Sequence, residues 1–184
     1  PPLTVSPLWV ESDYVPEGQM FFTALKGIQG RTAVRKGTLD QRVAAAAALV
    51  NADDQPWIVW CGLNDESDAL AAAIPGAVVV EGAMAPDEKA ARIEAFQDAQ
   101  HRVLITKPKI AGFGMNFQHC ARMVFVGLSD SFEAYYQCIR RCYRFGQTRP
   151  VEARIVLSDA EESIYHNVMQ KELEAQTMSQ KLIE

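Results

Sequence analysis

The sequence predicts an α/β fold: a mostly parallel central sheet covered by helices on both faces. Three observations carry this. Short, nearly continuous apolar runs recur at residues 57–60, 77–80, 102–105, 123–126 and 153–157. Helical patterns separate them. The runs lack polar alternation, which is how strands read when helices cover both of their faces.

Residues 1–37 are the least regular part. Pro1, Pro2, Pro7 and Pro16 interrupt them, and only Leu8, Trp9 and Val10 have strand character. This stretch reads as an incoming connection, with the domain proper at 38–184. Thr38 and Gln41 have capping-box spacing and open a helix that runs through the alanines to Val50. Strand 57–60 follows, then a helix with Asn64 as its expected cap, ending near Ala73. After strand 77–80, Pro86 suits the first turn of a helix to about Asp98, with Ala90, Ile93 and Phe96 at helical spacing. Strand 102–105 leads into a glycine-bearing loop, 106–116. After strand 123–126, Asp130 and Glu133 have capping-box spacing for a helix to about Tyr143. Beyond strand 153–157, Ser158 and Glu161 cap a final helix. In such sheets ligands collect at the carboxyl ends of the strands. The loop after Ile105 and the segment after Val126 are therefore expected on one edge.

Composition sets the outer bounds. At 184 residues, 48% hydrophobic and 22% charged, the chain has the make-up of one globular domain. Its longest apolar run is Val43 to Val50, mostly alanine, whereas a membrane-spanning helix takes about 20 apolar residues. No signal-like segment opens it. The expected setting is cytoplasmic, with no membrane partner. Cys61, Cys120, Cys138 and Cys142 show no CxxC spacing and read as small buried hydrophobes. His119 beside Cys120 is the nearest extra ligand for a metal site, and no metal is expected. His101, His119 and His166 form no nucleophile–base pairing in sequence.

Charge is unevenly spread. Between Ala99 and Val151, eight Lys/Arg face only Asp130 and Glu133, a net +6, which leaves −11 for the rest of a chain whose total is −5. This marks either an anion-binding surface on an acidic body or a solvated charged face.

Two segments inside that stretch carry chemistry. In residues 105–116, Gly112 and Gly114 allow backbone geometry closed to other residues and let a phosphate approach the main chain. Thr106 and Asn116 offer neutral hydrogen bonds, and Lys107 and Lys109 add positive charge. The same pattern also makes an ordinary turn. In residues 136–147, Arg141 and Arg144 lie three apart and share a helix face or leave its end together. Guanidinium groups match phosphate oxygens in a bidentate way. The alternative is pairing with distant carboxylates or with helix-end carbonyls. The aromatics Phe132, Tyr135, Tyr136, Tyr143 and Phe145 read mainly as core. Tyr143 and Phe145, next to the arginines, are the exceptions that suit base stacking.

Together the two segments resemble motifs V and VI of superfamily 2 helicases, with the Swi/Snf-type translocases and related phage or bacterial helicases nearest. Gln137, Arg141, Arg144, Gly146 and Gln147 match Q-x-x-x-R-x-x-R-x-G-Q. Thr106, Lys107, Gly112, Gly114 and Asn116 match T-K…G-x-G-x-N. Glu81, Gly82, Arg92 and Phe96 resemble the stretch that precedes motif V. The resemblance implies a RecA-like three-layer lobe that supplies an arginine finger, Arg144, with Arg141 as its companion. Gly112, Gly114, Asn116, Gln137 and Gln147 would serve the nucleotide, and Thr106, Lys107 and Lys109 the nucleic acid. ATP and Mg2+ would be bound mainly by an N-terminal RecA-like lobe of the same parent protein, because this chain contains no G-x-x-x-x-G-K-[ST] and no D-E-x-[HD]. The Swi/Snf likeness favours double-stranded DNA as partner. Pro108 and Ile110 lengthen the loop before Gly112, and Arg140 is an extra arginine. Two other readings are a non-catalytic α/β module that binds nucleic acid or protein, and a small nucleotide or phosphosugar transferase.

Overall fold

A computed structural model describes residues 1–12, 28–111, 114–129 and 131–181. Its elements in chain order are β1 (Leu3–Val10), α1 (Ile28–Gly37), α2 (Leu39–Asn51), β2 (Trp57–Trp60), α3 (Asn64–Ala73), β3 (Val78–Val80) and α4 (Pro86–Gln97). There follow β4 (Val103–Thr106), the one-turn α5 (Pro108–Ala111), β5 (Arg122–Val126), α6 (Phe132–Cys142), β6 (Val151–Ser158), a 3-10 turn (Asp159–Glu161) and α7 (Glu162–Lys181). The six strands form one sheet in the order β1-β6-β5-β2-β4-β3, and every pairing is parallel.

Successive residues of a strand point to opposite faces, and the core divides accordingly. Ile58, Trp60, Leu104, Met123, Phe125 and Ile155 pack with Phe96 of α4, Tyr135 and Ile139 of α6, and Ile164 and Val168 of α7. On the other face Trp57, Val59, Val103, Ile105, Val124 and Val126 meet Val43, Ala46 and Val50 of α2 and Leu70 of α3. The alanine run of α2 therefore allows close approach to the sheet. The expected three-layer α/β architecture is the one found.

Four local expectations change. Residues 1–37 contribute the strand β1, which pairs with β6 from Leu3↔Val151 to Val10↔Ser158, and the helix α1. Pro7 is tolerated because β1 is an edge strand. Thr38 makes no cap: its hydroxyl donates to Val34 O at 2.8 Å, which closes α1. Asn64 is the first residue of α3, and the free N–H groups of Gly62 and Leu63 are taken by the Glu66 carboxylate at 2.8 and 3.2 Å. Ser131 caps α6 by accepting from Ala134 N at 3.2 Å, while Asp130 lies outside the described residues. The capping box of Ser158 and Glu161 is present. All four cysteines are free and buried, and among the described residues no group of three or more His, Cys, Asp or Glu is placed to hold a metal ion. No described helix is long and apolar enough to cross a membrane.

A buried ionic network ties α1 and α2 to the carboxyl edge of the sheet. Arg42 is 0% exposed and donates to Glu66 at 3.0 Å, to Val126 O at 3.1 Å, to Thr38 at 3.0 Å and to Arg35 O. Arg35 forks onto Glu66 at 3.1 and 2.9 Å and also reaches Val126 O at 3.0 Å. Gly127, at φ +89°, lies directly against Arg35: an added Cβ would meet its guanidinium at 2.9 Å. Gly127→Ala thus combines a left-handed backbone with a clash, and is expected to cost about 2 kcal/mol. Urea denaturation checks this. An unchanged midpoint would contradict it.

Candidate functional site

The parallel register aligns Trp60 with Thr106 on one side and with Phe125 on the other. The segments after β2, β4 and β5 thus emerge on one edge, as the strand order requires. The residues singled out in the sequence divide between two depressions, one at the far end of α6, beside the loop that enters β5, and one at this edge.

The first is a recess of about 560 Å3 lined by Gly114, Tyr136, Gln137, Arg140, Arg141, Arg144 and Phe145. It forms where the end of α6 meets the loop before β5. Helix α6 buries Tyr135, Cys138, Ile139 and Cys142 against the sheet, which leaves Arg140 and Arg141 on its outer side. Arg141 is the hinge between the two motif segments. Its guanidinium donates to Gln137 O, Gln137 Oε1 and Met115 O, each at 3.0 Å, while Arg141 O accepts from Phe117 N at 2.9 Å. All its acceptors are neutral, so the charge is not cancelled. A guanidinium has five N–H donors, and three are spent, so each terminal nitrogen keeps one. Burial, followed by repulsion from Arg144 and Arg140, makes the Arg141 cation less favourable than usual.

Arg144 is exposed, and no hydrogen bond or ion pair holds its side chain among the described residues. Arg140 lies over the Tyr136 ring at 5.7 Å. The recess therefore gathers three guanidinium groups and, among its lining residues, no carboxylate. An anion would relieve their repulsion, and phosphate oxygens fit the remaining donors.

The turn after α6 is rigidly held. Gly146 has φ +93°, and a Cβ there would meet Gln118 Nε2 at 2.9 Å. Gln118 donates to Phe145 O. Gln147 is buried and acts as a bolt. Its amide donates to Gln118 O, Cys120 O and Cys142 O at 3.0–3.3 Å, and its oxygen accepts from Thr148 N and Arg149 N at 3.1 Å. The side chain expected to order the nucleotide cleft is thus spent on internal contacts, and Gln147 does not line the recess. Gln147→Ala orphans several buried backbone groups and is expected to lower stability by about 2 kcal/mol. A thermal melt checks this. A native midpoint would remove the bolt assignment.

Two further expectations shift. Thr106 is buried and donates to Val80 O at 3.1 Å, so it ties β4 to β3 and presents no hydroxyl to a ligand. Asn116 does not line the recess. Its Oδ1 accepts from Gln118 N at 3.1 Å and its carbonyl from Gln97 at 2.8 Å, so it shapes the loop. Gly114 lines the recess with φ +76°, and Gly112 lies outside the described residues. Of the aromatics, Tyr135 is core and Tyr143 is half-buried against it, whereas Phe145 is 100% exposed and lines the recess with Tyr136. Gln118 and Tyr136 carry roles that no sequence pattern indicated.

The second depression, of about 540 Å3, lies between the ends of β2 and β5. Lys107 and Lys109 line it, and Lys107 donates to Asn64 Oδ1. The lysines are therefore separated from the arginine recess by the loop between β4 and β5.

Comparison with known proteins agrees with this fold. The model of the helicase conserved C-terminal domain matches residues 42–146, more than half of the chain. No curated protein matches in sequence. Among solved structures, the chain is similar to the C-terminal part of the Fun30 ATPase domain (TM-score 0.60, 17% identity, 72% of this chain and 45% of that one). It is also similar to the C-terminal domain of the DEAD-box protein Dbp5 (TM-score 0.62, 16% identity, 72% and 78%). A DEAD box protein from Methanococcus jannaschii matches at TM-score 0.64 and 17% identity, over 72% of this chain and 37% of that one. The chain thus spans less than half the length of two of these three.

Proposed function

Because the chain belongs to the helicase conserved C-terminal domain family, we infer that it works as the C-terminal motor lobe of a nucleic-acid-dependent ATPase of the Swi/Snf type. It would pair with an N-terminal lobe of the same parent protein. The observation that carries this reading is the uncancelled charge of Arg141 and Arg144 at one recess, with Arg141 bonded to the motif V loop through Met115 O. In this reading ATP is held mainly by the N-terminal lobe, and Arg144 reaches across to the γ-phosphate. There its fixed charge stabilises the transition state without a proton transfer. Magnesium, when bound, would neutralise phosphate charge. The recess offers guanidinium groups and no carboxylate, so this chain's own residues fit the phosphate and not the metal ion.

Arg141 supplies the coupling. Its two remaining donors can meet phosphate while the others hold Gln137 and the loop at Met115. Nucleotide binding then bears on the loop between β4 and β5, whose other end carries Lys107 and Lys109 toward nucleic acid.

The test is ATP turnover of the full-length protein against double-stranded DNA, single-stranded DNA and RNA. Stimulation is expected, strongest with double-stranded DNA. No response to any of the three would contradict the reading. The chain on its own is expected to show no ATP turnover. Turnover above buffer that Arg144→Ala abolishes would overturn the division of labour.

A further inference from the structure

The depression between β2 and β5 sits where the sheet reverses its winding. From β2 the chain passes through α3 to β3 at one edge; from β5 it passes through α6 to β6 on the other side. The two helices cover opposite faces. Open parallel sheets take ligands in the crevice at such a switch point. Here the crevice is present and differs in character from the arginine recess. Its wall is largely apolar and aromatic, with Trp60, Phe125 and Leu128, and its charged lining residues are Lys107, Lys109, Glu133 and the Glu66-paired Arg35.

Trp60 adds an independent observation. Its side chain is 1% exposed, yet its indole N–H has no acceptor among the described residues. Buried indole N–H groups usually find a partner, and an unmade bond leaves the donor's desolvation uncompensated. Trp57, on the same strand, does have one, donating to Asp53 at 3.3 Å. An unspent, buried neutral donor beside the crevice, an aromatic wall and two lysines on the lining together suit a planar heteroaromatic ring that bears a carbonyl and is joined to phosphate.

We propose that this crevice receives one unstacked base of the bound nucleic-acid strand, with the Trp60 indole N–H donating to a base carbonyl and Lys107 and Lys109 meeting the flanking phosphates. This rests on the nucleic-acid reading above and adds base capture to it. A free triphosphate suits the crevice poorly: the guanidinium on its lining, Arg35, is spent on Glu66 and Val126 O, and Glu133 also lines it.

The experiment uses the full-length protein and fluorescence anisotropy with single strands of equal length: oligo-dT, oligo-dA and a fully abasic strand of the same charge. The native protein should prefer oligo-dT over the abasic strand roughly tenfold, the scale of one stacked base. Ala134→Trp, which fills the crevice from α6, should erase that preference and leave the abasic affinity unchanged. Trp60→Phe keeps a ring and removes the donor. It should weaken oligo-dT a few-fold and spare oligo-dA, because adenine has no carbonyl. A merely structural role for Trp60 would move both strands alike, and that result overturns the proposal. If Ala134→Trp does not fold, the Trp60→Phe comparison decides. Equal binding of oligo-dT and the abasic strand by the native protein overturns base capture alone. Binding of neither strand overturns base capture, and the response of ATP turnover to duplex DNA then decides the nucleic-acid reading separately. Displacement of oligo-dT by equally dilute thymidine monophosphate would assign the crevice to a free nucleotide and also overturn it.

Discussion

Arg144→Ala in the full-length protein is expected to cut ATP turnover by about 10³–10⁵-fold, the range for removing an arginine finger in related phosphoryl transfer. The reason is what Arg144 does not do. Its side chain makes no hydrogen bond or ion pair among the described residues and is exposed at the recess, so truncating it removes no internal side-chain bond and the fold should survive. Nucleotide affinity should stay near native, since a group that acts on transition-state charge contributes to rate more than to binding. Arg144→Lys should not restore turnover, because an ammonium cannot reproduce the planar two-point contact. Steady-state kinetics and titration with a fluorescent ATP analogue separate the two effects. Normal turnover in the alanine variant removes the finger assignment. Arg141→Ala should behave differently: it also cuts the link to Met115 O, so coupling to nucleic acid fails along with turnover.

Glu66→Ala is expected to destabilise the lobe by about 3–5 kcal/mol, the cost of leaving a buried charge without its partner. Glu66 is fully buried and accepts from Arg35, Arg42, Gly62 N and Leu63 N. Its removal strands the Arg42 guanidinium, itself 0% exposed, and frees two backbone donors at the start of α3. Adding Arg42→Met to Glu66→Leu should recover part of the loss, since a well-packed apolar pair replaces a buried ion pair at little cost. Chemical denaturation of the single and double variants reads this directly. A single variant as stable as the native chain would mean that the network is solvated in solution.

How much of this was legible in the sequence depends on the kind of statement. The parallel sheet was legible because strands covered on both faces must be apolar throughout, as at 57–60 and 123–126. The recess was legible as a pair of arginines without acidic neighbours. Which polar groups remain free was not. Thr106 and Gln147 fit their motif positions, but their hydrogen bonds run to Val80 O and to the carbonyls of Gln118, Cys120 and Cys142. Only tertiary neighbours decide that. The same holds for Arg141, whose guanidinium is held by Met115 O from 26 residues away, against Arg144, whose side chain bonds to no described group. β1 was obscured by Pro7, which signals a break unless the strand is known to lie at an edge. The Thr38 cap failed because α1 runs directly up to it, so its hydroxyl found Val34 O of the preceding helix first.

The account turns on one contact, and a structure of the full-length protein with ADP, magnesium and aluminium fluoride examines it most directly. The Arg144 guanidinium should lie at hydrogen-bond distance, about 3 Å, from the fluoride that mimics the transferring phosphoryl group, with Arg141 still bonded to Met115 O. An Arg144 turned to solvent, with some other cation against the fluoride, would contradict it.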